Sequence, residues 1–135
     1  MMLDTKSRIL LAEDNPINQK VTTLVLKRSG YTCDLVEDGE AAVRACMTQS
    51  YDLVLMDCHM PVMNGFEAAK EIRTLRIPQP TIIAVTANCT TAAREECLRA
   101  GMDHYVSKPF TADHLVHVIR EALGQRFSGI TCGAN

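Results

Sequence analysis

Four short apolar runs of strand length each end at a reactive or charged side chain. The runs are 9–12 before Glu13-Asp14, 53–56 before Asp57, 82–85 before Thr86, and 105–106 shortly before Lys108. If the runs are parallel strands of one sheet, their carboxyl ends lie along one edge, where open α/β sheets form ligand sites. Three carboxylates, one hydroxyl and one ammonium are therefore expected to converge there.

The order of elements predicts the fold that would carry this edge. Strand-like and helix-like segments alternate five times, with strands expected over 8–12, 32–36, 52–56, 81–85 and 104–106. Near-continuous apolar strands between helices are typical of a parallel sheet covered on both faces. The sequence therefore predicts an α/β, flavodoxin-like, doubly wound sheet of five parallel strands in the order 2-1-3-4-5, with five helices.

Length and charge narrow the class of protein. A chain of 135 residues corresponds to one domain, predicted over 8–123, with a lead-in over 1–7 and a tail or linker stub over 124–135. The net charge of −2 gives no reason to expect a nucleic-acid or membrane surface. No apolar run approaches the roughly 20 residues that span a bilayer, and the start lacks a secretory pattern. We therefore expect a cytoplasmic domain.

The six cysteines are predicted to be reduced thiols. They are scattered, without a CxxC pair, at positions 33, 46, 58, 89, 97 and 132. Small disulfide scaffolds are shorter and loop-rich, and zinc sites need closer ligand spacing. Most of these cysteines fall inside apolar helical or strand patterns, where free cysteine acts as a small hydrophobe.

The acids and the lysine define a chemistry. Glu13, Asp14 and Asp57 repel one another if they lie close together, and a bound Mg²⁺ relieves that conflict. Mn²⁺ suits the same ligands. Asp57 can attack phosphorus, with Lys108 as a second cation. Each residue alone also has an ordinary interpretation: a solvated acidic turn, a surface lysine, or a strand-end threonine at Thr86.

Five motifs together resemble the response-regulator receiver domain. They are Leu11-Ala12-Glu13-Asp14-Asn15, Leu55-Met56-Asp57, Met60-Pro61 with Asn64-Gly65, Val85-Thr86-Ala87, and Lys108-Pro109. The resemblance runs from about residue 8 to residue 123. The stretch 13–21 resembles, more narrowly, receivers of hybrid sensor histidine kinases and phosphorelays.

The resemblance implies a role for each site residue. Asp57 is implied as the phosphoacceptor, which takes its phosphoryl group from a phosphohistidine. Glu13, Asp14, Asp57 and the backbone carbonyl of Cys58 are implied as Mg²⁺ ligands. Lys108 is similar to the lysine that contacts the acceptor and its phosphate, and the bond to Pro109 is expected to be cis, which proline permits at modest cost.

The resemblance also implies a switch. Thr86 and Tyr105 resemble the family's switch pair, in which the residue at Thr86 moves toward the phosphate and the residue at Tyr105 turns inward. These movements would repack the face formed by the fourth helix, the fifth strand and the fifth helix. For Tyr105 the alternative is a half-buried strand aromatic. His59 and Asn88 occupy positions that tune phosphate hydrolysis in the family. For His59 a solvent-facing loop residue is an equally good interpretation.

The first helix carries more apolar residues than a narrow stripe needs. They are Ile17, Val21, Leu24, Val25 and Leu26. One interpretation is ordinary core packing. The other is an exposed patch near the phosphorylation edge, which in relay-type receivers docks a histidine-bearing helical bundle.

Rival functions predict different observations. A flavodoxin-type electron carrier would be yellow, but Glu13-Asp14 would repel the flavin phosphate. An aspartyl-nucleophile phosphohydrolase would turn over phosphate esters, but its second acid is replaced here by His59. A degenerate receiver would act only as an interaction module. We expect a phosphoacceptor that catalyses only its own phosphorylation and dephosphorylation, and is not otherwise an enzyme.

The expected partner is a sensor histidine kinase or a histidine phosphotransfer protein. Direct contact with nucleic acid or membrane is not expected. The domain would be cytoplasmic, alone or within a membrane-anchored sensor kinase.

Overall fold

The computed structural model describes residues 7–88 and 90–127, which form five parallel strands alternating with five helices. The strands are β1 (Ile9–Ala12), β2 (Cys33–Val36), β3 (Leu53–Asp57), β4 (Thr81–Thr86) and β5 (His104–Ser107). The helices are α1 (Pro16–Arg28), α2 (Gly39–Thr48), α3 (Gly65–Thr74), α4 (Thr91–Ala100) and α5 (Ala112–Phe127). The sheet order is β2-β1-β3-β4-β5, which confirms the predicted flavodoxin-like fold.

Two apolar layers cover the sheet, one on each face. One layer contains buried side chains of α1 and α5, including Leu26, Leu115 and Ile119. The other contains buried side chains of α2, α3 and α4, including Cys46 and Ile72. Strands β1 and β3 are buried along their whole length, so they feed both layers by alternation. The residues at the carboxyl ends of these two strands therefore lie between the helices that cover one face of the sheet and those that cover the other.

Three strands run one residue further than the sequence predicts, and this affects the site. Asp57 is the last residue of β3, Thr86 the last of β4 and Ser107 the last of β5. The reason is ladder pairing: Asp57 lies opposite Val85, and Thr86 lies opposite Ser107. Asp57 and Thr86 are therefore held by the sheet itself rather than by the loops that follow.

Helix caps fix where the chain leaves the sheet. The Asn15 side chain accepts hydrogen bonds from the amides of Ile17 and Asn18, as the Asn-Pro pattern predicts. Thr111 caps α5 through the amide of His114 at 3.1 Å. Helix α5 continues to Phe127, four residues beyond the predicted boundary at 123. The rest of the predicted tail (128–135) and most of the lead-in (1–6) lie outside the described residues.

The described cysteines, Cys33, Cys46, Cys58 and Cys97, are free thiols. Burial raises the pKa of the Cys46 thiol to about 11. Cys89 and Cys132 lie outside the described residues. Among the helices that the structure describes, none combines the length and apolar character needed to cross a bilayer.

The core interpretation of the first helix is wrong for most of its apolar residues. Ile17, Val21 and Leu24 are 72%, 48% and 49% exposed, whereas Thr22 and Leu26 are buried. In α2, Ala42 and Cys46 are buried, whereas Met47 is 60% exposed. In both helices, therefore, fewer apolar side chains pack against the sheet than the composition of the helix indicates.

Candidate functional site

The three acids meet at the carboxyl edge of the sheet. Glu13 directly follows β1, Asp14 follows Glu13, and Asp57 ends β3. One carboxylate oxygen from each lies within 4.8 Å of the others. Glu13 and Asp57 are only 3% and 5% exposed, while Asp14 faces solvent. The result is a cluster of negative charge with two nearly buried members.

Lys108 lies against both buried acids. Its Nζ is 3.2 Å from Glu13 Oε1 and 3.4 Å from Asp57 Oδ2. Its backbone amide donates to the Thr86 carbonyl at 2.8 Å, and the Lys108–Pro109 peptide bond is cis. The ammonium therefore partly neutralises the cluster from the β5 side.

Glu13 shows the electrostatic cost of this arrangement. Burial raises the pKa of its carboxyl above the usual 4.5, and the adjacent Asp57 raises it further through a hydrogen bond and its charge. The amide of Asn15 and the charge of Lys108 oppose that rise. One lysine does not fully compensate two buried acids, and this leaves the site suited to a further cation.

The donor set fits Mg²⁺. Carboxylate and carbonyl oxygens are its preferred protein ligands. Glu13, Asp14 and Asp57 each offer one carboxylate oxygen within 4.8 Å of the others, so together they could hold one small cation. The Cys58 carbonyl accepts from the Gly65 amide at 3.1 Å, which leaves its second lone pair for a ligand.

The affinity for Mg²⁺ is expected to fall on acidification, over a pH window that lies above 4.5, the ordinary pKa of a glutamate carboxyl. Folding raises the pKa of Glu13, so the protonated form of Glu13 favours the folded state. This contribution to stability is present below pH 4.5 and is lost as the pH rises through the pKa of the folded chain. Bound Mg²⁺ reverses that loss, because it requires the ionised form. The rise in Tm on adding Mg²⁺ should shrink between pH 8 and pH 5, and Glu13→Gln should flatten this dependence. A Tm rise in the wild type that is independent of pH would contradict the assignment.

Thr86 begins a chain of hydrogen bonds that leads away from the edge. Its side chain is 2% exposed, and Oγ1 accepts from the Asn88 amide at 3.0 Å. The Asn88 side chain accepts from the Thr90 amide at 3.1 Å, and Thr90 caps α4 through the amide of Ala93. A movement of the Thr86 hydroxyl would therefore be transmitted to the start of α4.

The remaining residues predicted from the resemblance are His59, Asn88 and Tyr105. His59 is exposed, its amide donates to Asp57 Oδ1 at 3.2 Å, and its ring meets Phe66 edge-on at 6.4 Å. Asn88 is also exposed. Tyr105 is half-buried, with the Arg94 guanidinium 4.7 Å from its ring centroid. The edge thus brings the acids, Lys108 and Thr86 together, while Tyr105 lies on β5 against α4.

Sequence reasoning missed the backbone contacts that shape the loop after Asp57. A Cβ on Gly65 would lie 2.4 Å from the Asp57 carbonyl oxygen, and one on Gly39 would lie 2.3 Å from that of Met63. Asn64 and Glu67 form a capping box at the start of α3. The box has a sequence signal, Asn-x-x-Glu before an apolar run, but the two close approaches have none.

A flavodoxin-like sheet with an acidic carboxyl edge and an adjoining lysine defines a receiver-type domain. The family model for the response regulator receiver domain matches residues 9–120. The chain belongs to this family.

Known proteins agree with that assignment. The receiver domain of sensor histidine kinase PA1611 from Pseudomonas aeruginosa, solved with magnesium in its active-site cleft, is 44% identical, with a TM-score of 0.82 over 87% of this chain and 98% of that one. A chain of the Saccharomyces cerevisiae Ypd1–Ssk1 receiver co-crystal is 27% identical, with a TM-score of 0.84 over 92% and 93%.

Among full-length relatives, hybrid signal transduction histidine kinase B of Dictyostelium discoideum is 40% identical over 129 residues. The match covers 86% of this chain and 7% of that protein. The chain therefore corresponds to the receiver portion of two-component and phosphorelay proteins, and spans a small part of the length of such relatives.

Proposed function

We propose that this chain stores and relays a signal as an aspartyl phosphate on Asp57. The observation that carries the proposal is the contact of Lys108 Nζ with Asp57 Oδ2 at 3.4 Å, inside a cluster of carboxylates within 4.8 Å of one another. Phosphoryl transfer depends mainly on positioning and charge neutralisation, which a lysine and a metal at this edge supply. Mg²⁺, held by Glu13, Asp14, Asp57 and the Cys58 carbonyl, would neutralise charge on the phosphoryl oxygens; Mn²⁺ is a substitute with the same ligand preference.

In the transfer step the phosphoryl group passes from a histidine nitrogen of the donor to the Asp57 carboxylate. An Asp57 carboxylate oxygen attacks the phosphorus of a phosphohistidine, an O–P bond forms and the P–N bond breaks. The departing imidazole nitrogen keeps the bonding pair and takes a proton from solvent water, which leaves neutral histidine. The Lys108 ammonium neutralises the carboxylate before transfer and the phosphoryl oxygens after it.

The same site limits the lifetime of the phosphoryl group. Water attack on phosphorus regenerates Asp57 and releases inorganic phosphate, so the chain catalyses only reactions of its own acceptor. His59 and Asn88 are both exposed beside the edge, where they can orient or screen that water. These two residues therefore set the duration of the signal.

A switch connects the acceptor to the surface of α4, β5 and α5. In the structure the Thr86 hydroxyl accepts from the Asn88 amide, and Arg94 stacks on Tyr105. A phosphoryl group on Asp57 offers Thr86 a charged acceptor, and charge-assisted hydrogen bonds are the stronger kind. Movement of Thr86 frees space toward which Tyr105 turns, which biases a two-state face.

The donor is a sensor histidine kinase or a histidine phosphotransfer protein. The exposed apolar side chains of α1 lie beside the site, and Val21 lines a groove of about 380 Å³ together with Lys108 and Pro109. An apolar patch of this kind, at the edge of a charged cleft, suits a helical protein surface. The cytoplasm is the compartment of this exchange, in which the receiver acts alone or as part of a membrane-anchored kinase, without direct contact to nucleic acid or membrane.

Transfer from a phosphohistidine tests this function. With phosphorylated Ypd1 of Saccharomyces cerevisiae as donor, radiolabel should pass to the wild-type chain in the presence of Mg²⁺ and should not pass to Asp57→Asn. Chelation of Mg²⁺ should stop the transfer. An intact wild-type fold that takes no label, from this donor or from acetyl phosphate, would favour the alternative of a degenerate receiver that serves only as an interaction module.

A further inference from the structure

Gln19, near the start of α1, contacts the main chain on both sides of Asp14. Its side-chain amide donates to the Glu13 carbonyl at 2.7 Å, six positions back along the chain. Its backbone amide donates to the Asn15 carbonyl at 2.9 Å. The first acceptor is a carbonyl oxygen, so the glutamine presents its NH₂ group there. One helical residue therefore clamps the short loop that carries two of the three acids.

The Glu13 carbonyl needs such a partner, because it lies just beyond the sheet. The last ladder pairs of β1 join Ala12 to Val36 on one side and to Met56 on the other. The Glu13 amide still donates to the Val36 carbonyl at 3.0 Å, and the residue is only 3% exposed. Carbonyl groups in such positions are almost always hydrogen-bonded. The Gln19 side chain supplies that bond from α1.

The clamped peptide group determines how the chain enters Asp14. The Glu13 carbonyl and the Asp14 amide belong to one planar unit, so fixing the carbonyl fixes the backbone on which the Asp14 side chain stands. The Glu13 carboxylate is held directly, with Oε1 3.2 Å from Lys108 Nζ and Oε2 accepting from the Asn15 amide at 3.2 Å. Asp14 faces solvent, so its placement depends mainly on the backbone that Gln19 holds.

Such a clamp affects ion binding through order in the empty site. Mg²⁺ demands near-ideal octahedral geometry, so a misplaced carboxylate is a poor ligand. Ligands that are ordered before the ion arrives lose less conformational freedom when it binds. Hydrogen bonds that orient metal ligands can change metal affinity 10- to 100-fold. The Gln19 contact is to the main chain rather than to a carboxylate, so its effect should be smaller.

We propose that Gln19 is a positioning residue for Mg²⁺ binding, which holds Glu13 and Asp14 in place through the carbonyl between them. The inference rests on the proposed function, because the ion is the one that serves Asp57. Gln19 itself touches neither the ion nor the phosphoryl group. A purely structural tie at the start of α1 would stabilise the empty and the occupied site equally, and would leave Mg²⁺ affinity unchanged.

Gln19→Met removes the donor while keeping the length and the helix propensity of the side chain. Its Kd for Mg²⁺, measured by isothermal titration calorimetry on the folded chain, should rise about three- to tenfold, the range that one net hydrogen bond gives. The Mg²⁺ concentration for half-maximal labelling by acetyl phosphate should rise by the same factor. The labelling rate at saturating Mg²⁺ should fall far less, since the filled site orders the loop.

Gln49→Met is the matched control, because it makes the same chemical change at an exposed position at the end of α2. The Gln49 side chain accepts a hydrogen bond from Arg8, at the opposite edge of the sheet from the acids. Its Kd for Mg²⁺ should equal that of the wild type, even if its Tm falls.

Gln19→Glu separates the hydrogen bond from the charge. An ionised glutamate cannot donate to a carbonyl, and it adds a negative charge near the ion. Attraction of Mg²⁺ to that charge alone would lower the Kd, whereas loss of the clamp raises it. We expect weaker binding than in the wild type.

A wild-type Kd in Gln19→Met, with or without a loss of Tm, would overturn the inference. Equal or tighter binding by Gln19→Glu would overturn it as well. A wild-type chain whose Mg²⁺ affinity depends on Gln19 but which takes no label would support the inference and remove the proposed function. A wild-type chain that binds no Mg²⁺ would overturn both.

Discussion

Lys108→Ala should slow phosphorylation of Asp57 by at least about 100-fold, the cost typical of removing one preorganised group that stabilises developing charge. Lys108 Nζ lies 3.2 Å from Glu13 Oε1 and 3.4 Å from Asp57 Oδ2, so the same ammonium serves the resting site and the phosphoryl oxygens. The rate is measured by labelling with acetyl phosphate under saturating Mg²⁺. Labelling at the wild-type rate would contradict the role given to Lys108.

Stability supplies a second measurement on the same variant. Without the lysine, two carboxylates that are 3% and 5% exposed lose their cation, which costs about 2–3 kcal/mol after allowance for the partial exposure of the lysine. Mg²⁺ should restore most of this loss, since it binds the same acids. Lys70→Ala, at an exposed position of α3, is the matched control and should change neither rate nor stability.

The second large effect is expected for Gly65→Ala. The new Cβ would lie 2.4 Å from the Asp57 carbonyl oxygen and 2.9 Å from the Cys58 Cα, and both are backbone atoms that cannot turn aside. Overpacking of this kind costs about 3 kcal/mol. Because the displaced segment carries the acceptor and the Cys58 carbonyl, Mg²⁺ affinity and phosphorylation should fall as well.

Gly124→Ala is the control for that substitution. Gly124 lies in α5, and a Cβ there would meet nothing within 4 Å apart from the adjoining backbone of its own helix. Replacing a helical glycine with alanine stabilises a helix by about 0.5–1 kcal/mol, so Tm should rise. Thermal unfolding of the two variants side by side separates a local clash from a general effect of alanine. Equal Tm for Gly65→Ala and the wild type would contradict the close approach.

The convergence of the site was predictable because it depends on strand order rather than on side-chain detail. Parallel strands place their carboxyl ends together, so Glu13, Asp57 and Thr86 had to meet once the apolar runs were recognised. Lys108, which follows β5, joins them for the same reason. The specific roles came from the resemblance to a family, since an acidic pair or a strand-end threonine has ordinary explanations when taken alone.

The face of α1 could not be predicted from periodicity. Residues 17, 21 and 24 follow a helical spacing, and so do Thr22 and Leu26, which lie on the buried side. Two stripes of the same period compete, and composition favours the more apolar one, which the structure exposes. Only the packing of Leu26 against the sheet decides which stripe turns inward.

The close contacts of the loop after Asp57 were also beyond sequence reasoning. Gly39 meets the Met63 carbonyl across 24 positions of chain, and no local pattern encodes that approach. The positive φ of Val62 is equally hidden, because valine is among the residues least expected there. Long-range backbone packing selects these conformations.

Intact mass spectrometry after incubation with acetyl phosphate and Mg²⁺ tests the central claim most directly. The wild-type chain should gain about 80 Da, the mass of one phosphoryl group replacing a proton, as an acyl phosphate requires. The gain should disappear without Mg²⁺ and in Asp57→Asn. A gain of the same size in Asp57→Asn would contradict Asp57 as the acceptor. So would a folded wild-type chain that binds Mg²⁺ but shows neither a mass gain with acetyl phosphate nor binding of the phosphoryl mimic beryllofluoride.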